Sequence, residues 1–163
     1  VKLCEESRQT VLLLIQDGFR GICLDKVEPE RTIKLVAEMG KVFPLHAAAC
    51  GKILLAYAQP SLQNHITAST LESYTPLTIT NSEALKAEIN KIRLHGKAIS
   101  VEEMTYGAAE IAVPLLNPDG SLIAALSIAG PKFDVEPQME HYESLLRIAA
   151  NRIIKRLIND KRT

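Results

Sequence analysis

The sequence has no excess of charge in either direction: Lys and Arg number 19, as do Asp and Glu, over 163 residues. No overall field draws the chain toward nucleic acid or an anionic membrane surface. A charge balance of this kind argues against the segment gripping DNA by itself, though not against a neighbouring domain that does. Cysteine is scarce. Cys4, Cys23 and Cys50 are an odd set without metal-type spacing. His46, His65, His95 and His141 are scattered, with no pair at helical spacing. No metal or cofactor is therefore expected. No secretory signal opens the chain, and no apolar run approaches membrane-spanning length, so a cytoplasmic setting and no membrane partner are expected. No repeat and no low-complexity linker interrupts it. The chain begins at Val1 without methionine, and an excised fragment is the expectation.

What remains is the composition of an ordinary globular domain, 47% hydrophobic and 23% charged. Its length supports one hydrophobic core. The run "VLLLIQ" (Val11 to Gln16) reads as a strand buried on both faces. Asp17-Gly18 supplies a turn, and "GICLDKVE" (Gly21 to Glu28) returns, giving a hairpin. "TIKLV" (Thr32 to Val36) reads as a further short strand. The apolar run Ile53 to Ala58 reads as a buried helix ended by Pro60, and Ser61 is placed to cap a short helix to about Ser69. In "TNSEALKAEINKIRLHG", Thr80 and Glu83 form a capping box, Leu85, Ile89 and Ile92 share a face, and Gly96 ends the helix.

Three strands follow: Lys97 to Glu102, Ala108 to Asn117, and Leu122 to Ala129, the last two joined by the turn "NPDG". A long amphipathic helix from about Glu136 closes the chain with Met139, Tyr142, Leu146, Ala149, Ile153 and Leu157 on one face. Tight turns imply antiparallel pairing. The expected fold is α+β, an antiparallel sheet with helices packed on one face.

Alternation sorts the late strands into two faces. Leu122, Ala124, Leu126 and Ile128 share the bulky one with Ile111, Val113, Leu115, Ile99 and Val101. The opposite face is sparse: Ile123, Ala125, Ser127 and Ala129, with Glu110, Ala112, Pro114, Ala98, Ser100 and Glu102. A shallow polar cavity on that side is one reading, and an ordinary solvated face is the other. The stretch "PLHAAACGKILLA" (Pro44 to Ala56) puts small residues at a helix start, where backbone N–H groups lack intrahelical partners. Either an anion approaches those donors, or the small residues allow tight packing on the sheet. Glu102-Glu103, followed by Met104, reads either as a strand end or loop in water or as a segment over the cavity mouth.

These segments resemble one family. "PLHAAACGKILLA" is similar to a "PLHATA-GKA-LA" signature of the IclR-type transcriptional regulators. "GAAEIAVPLLNPDGSLIAALSIAGP" (Gly107 to Pro131) is similar to its second signature, an "IAAPV" strand, a "D-x-x-G" turn and an "AALSVSGP" strand. The resemblance runs over essentially the whole chain. It implies a GAF-like effector-binding domain with a ligand pocket on the sheet face opposite the helices. Residues 1–10 would be the tail of a linker helix and 11–163 the effector domain. A winged helix-turn-helix domain is expected before it, and DNA would be reached only through that part. The resemblance also implies a homodimer or homotetramer, and a small organic acid or similar metabolite as effector. The ligand-binding residues it points to are Ala49 and Cys50, through their backbone N–H groups, with Ser100, Glu110, Ser127 and Ala129. Ala129 stands where the signature often has serine. Glu110 replaces a small, neutral or thiol side chain, so either it turns away or the ligand carries a hydroxyl, amine or cation for it.

Two other functions fit the residues. Cys50, at a helix start beside Lys52, has the setting of an activated thiolate in a GAF-like redox enzyme, with Cys4 or Cys23 to resolve it. A dimerisation module without ligand is the other. Neither is the expectation, which is a regulatory domain and not an enzyme.

Overall fold

The computed structural model describes residues 1–160. Its elements run α1 (Lys2–Ser7), β1 (Thr10–Asp17), β2 (Arg20–Val27), β3 (Val42–Pro44), α2 (Ala49–Ala56), α3 (Pro60–Ala68), α4 (Ser82–His95), β4 (Ala98–Val101), β5 (Ala108–Leu116), β6 (Leu122–Pro131), α5 (Lys132–Val135), a 3-10 turn (Glu136–Gln138) and α6 (Met139–Asp160). The strands form one six-stranded sheet in the order β3-β2-β1-β6-β5-β4. Every neighbouring pair is antiparallel. The expected α+β class and the hairpins β1-β2 and β5-β6 are present.

The bulky face forms as alternation predicts. Ile111, Val113, Leu115, Leu126 and Ile128 pack against Tyr142, Leu146 and Ala150 of α6. Each large side chain so buried contributes roughly 1.5–3 kcal/mol. α1 lies on this side too, through Cys4. The other face also carries helices. All eight residues of α2 are buried, and a helix apolar on every face but for Lys52 needs cover on all sides. It lies between the sparse face (Ala98, Ala112, Ala125, Ala129) and α4, which presents Leu85, Ile89 and Ile92. Helices therefore flank both faces, not one.

Several local expectations shift. "TIKLV" is not a strand: the edge of β2 pairs with Val42–Pro44 instead, leaving Ile33 and Val36 exposed in the 28–41 loop. Asn81, not Thr80, caps α4, its side chain accepting from Ala84 N at 3.0 Å. Pro60 opens α3 at its first position, a place where a missing N–H costs nothing. Leu122 packs on the α2 side and Ile123 on the α6 side, the reverse of simple alternation. The register skips Ile123 between the pairs Leu115↔Ala124 and Leu116↔Leu122, and one extra residue in a strand inverts the facing beyond it.

Candidate functional site

α2 approaches β3 very closely. A Cβ placed on Gly51 would stand 2.2 Å from the Pro44 carbonyl oxygen. The glycine of this segment thus answers to packing. Just before it, Ala48 adopts φ 62 and ψ 155 at the N-cap, a region that L-residues other than glycine scarcely enter. The chain turns sharply there and swings α2 onto the sheet.

Register then assembles the site. Ser100 pairs with Glu110, Glu110 with Ala129, and Ala129 with Thr10, one row across β4, β5, β6 and β1. The next row is Ala98, Ala112, Ser127 and Leu12. Above the first row, in front of the amino end of α2, lies a cavity of about 110 Å³. One water needs only about 10–15 Å³ of such volume, so the space holds a small organic molecule. Its walls are largely apolar, including Leu12, Leu14, Leu35, Phe43 and Met104.

Cys50, Ser100, Glu110 and Ala129 line this cavity. Ala49 and Ser127 are not on its wall. Ala49 is fully buried, and its amide, expected to be open to a guest, is already bonded: it donates to Glu110 Oε2 at 2.7 Å. Glu110 has turned toward the helix start and takes up the donor that was expected to meet an acid group. Ser127 sits one row deeper, its hydroxyl beside the Cys50 thiol.

Two residues central to the site were not among the ligand-binding residues named from the sequence. Lys52 is 1% exposed, and its ammonium donates to Glu103 Oε1 (2.6 Å), the Ile99 carbonyl (2.7 Å) and Glu88 Oε1 (3.1 Å). Its three donors are thereby all used. Glu103, read as a strand-end or loop residue either in water or over the cavity mouth, is buried and lines the cavity. Its Oε2 has no hydrogen-bond partner. Burial pushes the Glu103 carboxyl up, Lys52 pulls it back, and Glu88 and Glu110 push it further up. The loop is held in place by Thr75 and Thr78, whose hydroxyls donate to the carbonyls of Glu102 and Glu103, each at 2.6 Å. The signal for this burial was a lysine inside an otherwise apolar helix, with no acidic residue in its own segment.

The 28–41 loop closes over the cavity with Leu35, Val36 and Ala37. Thr10, which no sequence pattern marked, donates to the Leu35 carbonyl at 2.6 Å. Lys26 reaches the Ala37 carbonyl and pairs with Glu28 at 2.5 Å, and Lys34 holds the other Glu28 oxygen at 3.0 Å.

The redox reading of Cys50 loses its basis here. Burial, and then the Glu110 charge beside it, hold the thiol well above its ordinary value, the opposite of an activated thiolate. His46 is a packing residue, bonded through Nε2 to the Glu72 carbonyl at 2.8 Å and stacked on Tyr74. Among the described residues no group of His, Cys, Asp and Glu could hold a metal ion, and no helix is long and apolar enough to cross a membrane.

A curled antiparallel sheet flanked by helices, with a partly open cavity at the start of a buried helix, defines a GAF-like effector-binding domain. Residues 1–155 match the family described as bacterial transcriptional regulator IclR C-terminal. The chain belongs to that family. It is 37% identical over 123 residues to the HTH-type transcriptional regulator Rv1719 of Mycobacterium tuberculosis, covering 76% of this chain and 48% of that protein. The Thermotoga maritima IclR crystal structure superposes with a TM-score of 0.87 at 34% identity, over 96% of this chain and 64% of that one. The inducer-binding domain of the PobR transcription factor from Acinetobacter, a double mutant in complex with 3-hydroxybenzoic acid, superposes with a TM-score of 0.84 at 26% identity, over 94% and 91%. This chain spans about half the length of the curated relatives it matches.

Proposed function

We propose that the domain senses a small organic metabolite, of the organic-acid type or similar, and passes its occupancy to a DNA-binding part of the same regulator. The cavity carries this reading: about 110 Å³ of largely apolar space between the sheet's sparse face and the start of α2. The hydroxybenzoic acid complex of the PobR domain supports it, since that relative shares the fold and binds a compact ligand. Here Ser100, Glu110, Cys50 and Ala129 would contact the effector, with Ala49 and Ser127 supporting them. Residues 1–10 would continue into a linker helix, and DNA would be contacted only by a winged helix-turn-helix domain outside this chain, in a cytoplasmic homodimer or homotetramer. Occupancy would bias the domain or its oligomer between two states, with a coupling of about 1–3 kcal/mol.

A thermal-shift screen of small metabolites tests this. A ligand at about 100 times its Kd adds roughly 2.7 kcal/mol, a rise on the order of 5–10 °C for a domain of this size. A library in which nothing raises Tm would leave the dimerisation module as the better account.

A further inference from the structure

The polar groups around the cavity are unequal in kind. On the donor side, the Ala49 amide is bonded to Glu110. The Lys52 ammonium has three acceptors of its own. Lys41 lines the cavity from an exposed position, with its ammonium 5.7 Å from the Phe43 ring centre, where solvent and salt screen it. On the acceptor side stand two buried carboxyl groups, Glu103 and Glu110, at 9% and 8% exposure. Glu103 Oε2 is without a partner, and a buried acceptor left unmade is costly. The buried charges near the cavity, Lys52 against Glu103 and Glu110, sum to acidic when the carboxyls are ionised, and half-buried Glu88 adds to the same side. An incoming carboxylate would meet two carboxyl groups there, with the neutral Ser100 hydroxyl as a side-chain donor beside them.

We infer that the cavity takes a compact ligand with an apolar body and a hydrogen-bond-donating end, an ammonium or a hydroxyl, seated against Glu103 and Glu110, and that it disfavours a ligand anchored there by a carboxylate. This rests on the cavity being the effector site. The apolar walls hold the body, and the Glu103 and Glu110 carboxyl groups on the cavity wall supply the acceptors for the donating end. Any acidic group on the same ligand lies outward, toward Lys41.

Three probes sharing one ring separate the possibilities: benzylamine, benzyl alcohol and benzoate, titrated calorimetrically into the 163-residue chain at neutral pH. The expected order puts benzylamine and benzyl alcohol tighter than benzoate, with benzylamine ahead of benzoate by about tenfold or more. Glu110→Gln keeps an acceptor for the Ala49 amide while removing the charge. It narrows the gap between benzylamine and benzoate by about tenfold. If Glu110→Gln does not fold, the wild-type order still decides. Benzoate binding as tightly as benzylamine overturns the inference and leaves the sensor reading intact. So does failure of all three probes alongside a clear response to pyruvate or glyoxylate. Absence of response to these and to the wider metabolite library overturns the sensor reading itself.

Discussion

Glu110 on β5 and Ala49 at the start of α2 are 61 residues apart in sequence, yet the Glu110 carboxylate caps the Ala49 amide at 2.7 Å. The helix has no side-chain cap from its own N-cap residue. A strand residue does that work, tying sheet to helix at the cavity wall. Glu110→Ala leaves the buried amide without an acceptor and is expected to cost about 1–3 kcal/mol, whereas Glu110→Gln costs much less. Urea denaturation of the two variants gives the comparison, and equal losses would show that the cap contributes nothing.

Lys52 is the second tie. Removing it strands Glu103 and Glu88 around an empty site. Breaking a buried pair of this kind costs about 3–5 kcal/mol, so Lys52→Ala is expected to lower stability by that order. Lys52→Met in a Glu103→Gln background should recover part of the loss, because the unpaired carboxylate is gone. A double variant no more stable than Lys52→Ala would place the effect in packing.

At the turn into α2, backbone geometry gives two opposite expectations. Gly51→Ala drives a methyl toward the Pro44 carbonyl, and overpacking of rigid backbone costs about 1–3 kcal/mol. Ala48→Gly relieves the φ 62 conformation and is expected to raise stability by up to about 1 kcal/mol. Denaturation midpoints for both variants are the check. A neutral Gly51→Ala would mean that α2 can shift away from β3.

All three thiols are free and buried, and burial pushes Cys4, Cys23 and Cys50 up from their ordinary values. Native protein is expected to react negligibly with a thiol reagent at pH 8, and fully once denatured. Rapid native labelling of Cys50 would restore the case for a reactive cysteine.

The loop over the cavity has an acid-sensitive clasp. Hydrogen bonds from Lys26 and then Lys34 hold the Glu28 carboxyl down at about 2, from an ordinary 4.5. A depressed folded value means that the clasp stabilises fully above about pH 4.5 and is lost as pH falls toward 2. Hydrogen exchange in residues 28–41 should therefore accelerate on acidification through that window before the sheet opens, and Glu28→Gln should be fast at every pH. Since other carboxylates titrate nearby, the local readout matters more than the global midpoint. Uniform acceleration across sheet and loop would deny the clasp a separate role.

Much of the architecture was legible because it depends on neighbours in the chain. The Asp17-Gly18 hairpin, the Gly96 stop with φ 64, the bulky stripe Ile111, Val113 and Leu115, and the α6 face through Tyr142 and Leu146 all follow from turn chemistry and periodicity. So did the choice of Ser100, Glu110 and Ala129 as residues sharing one face. The 28–41 segment was not legible: Thr32 to Val36 has strand-like composition, but whether it pairs depends on which residues occupy the β2 edge. Nor was the inversion at Ile123, because a bulge arises from the partner strand's register.

Outside the 28–41 segment and the Ile123 bulge, local sequence thus determined the strands, the helices and which side chains face together, since dihedral preferences and alternation act over a few residues. Tertiary structure alone decided what those side chains do. Glu103 became buried because Lys52 reached it across 51 residues. Glu110 turned inward because the Ala49 amide had no other acceptor in its own segment. Ion pairs and caps of this kind form only where the fold removes water, and a linear sequence does not show where that happens.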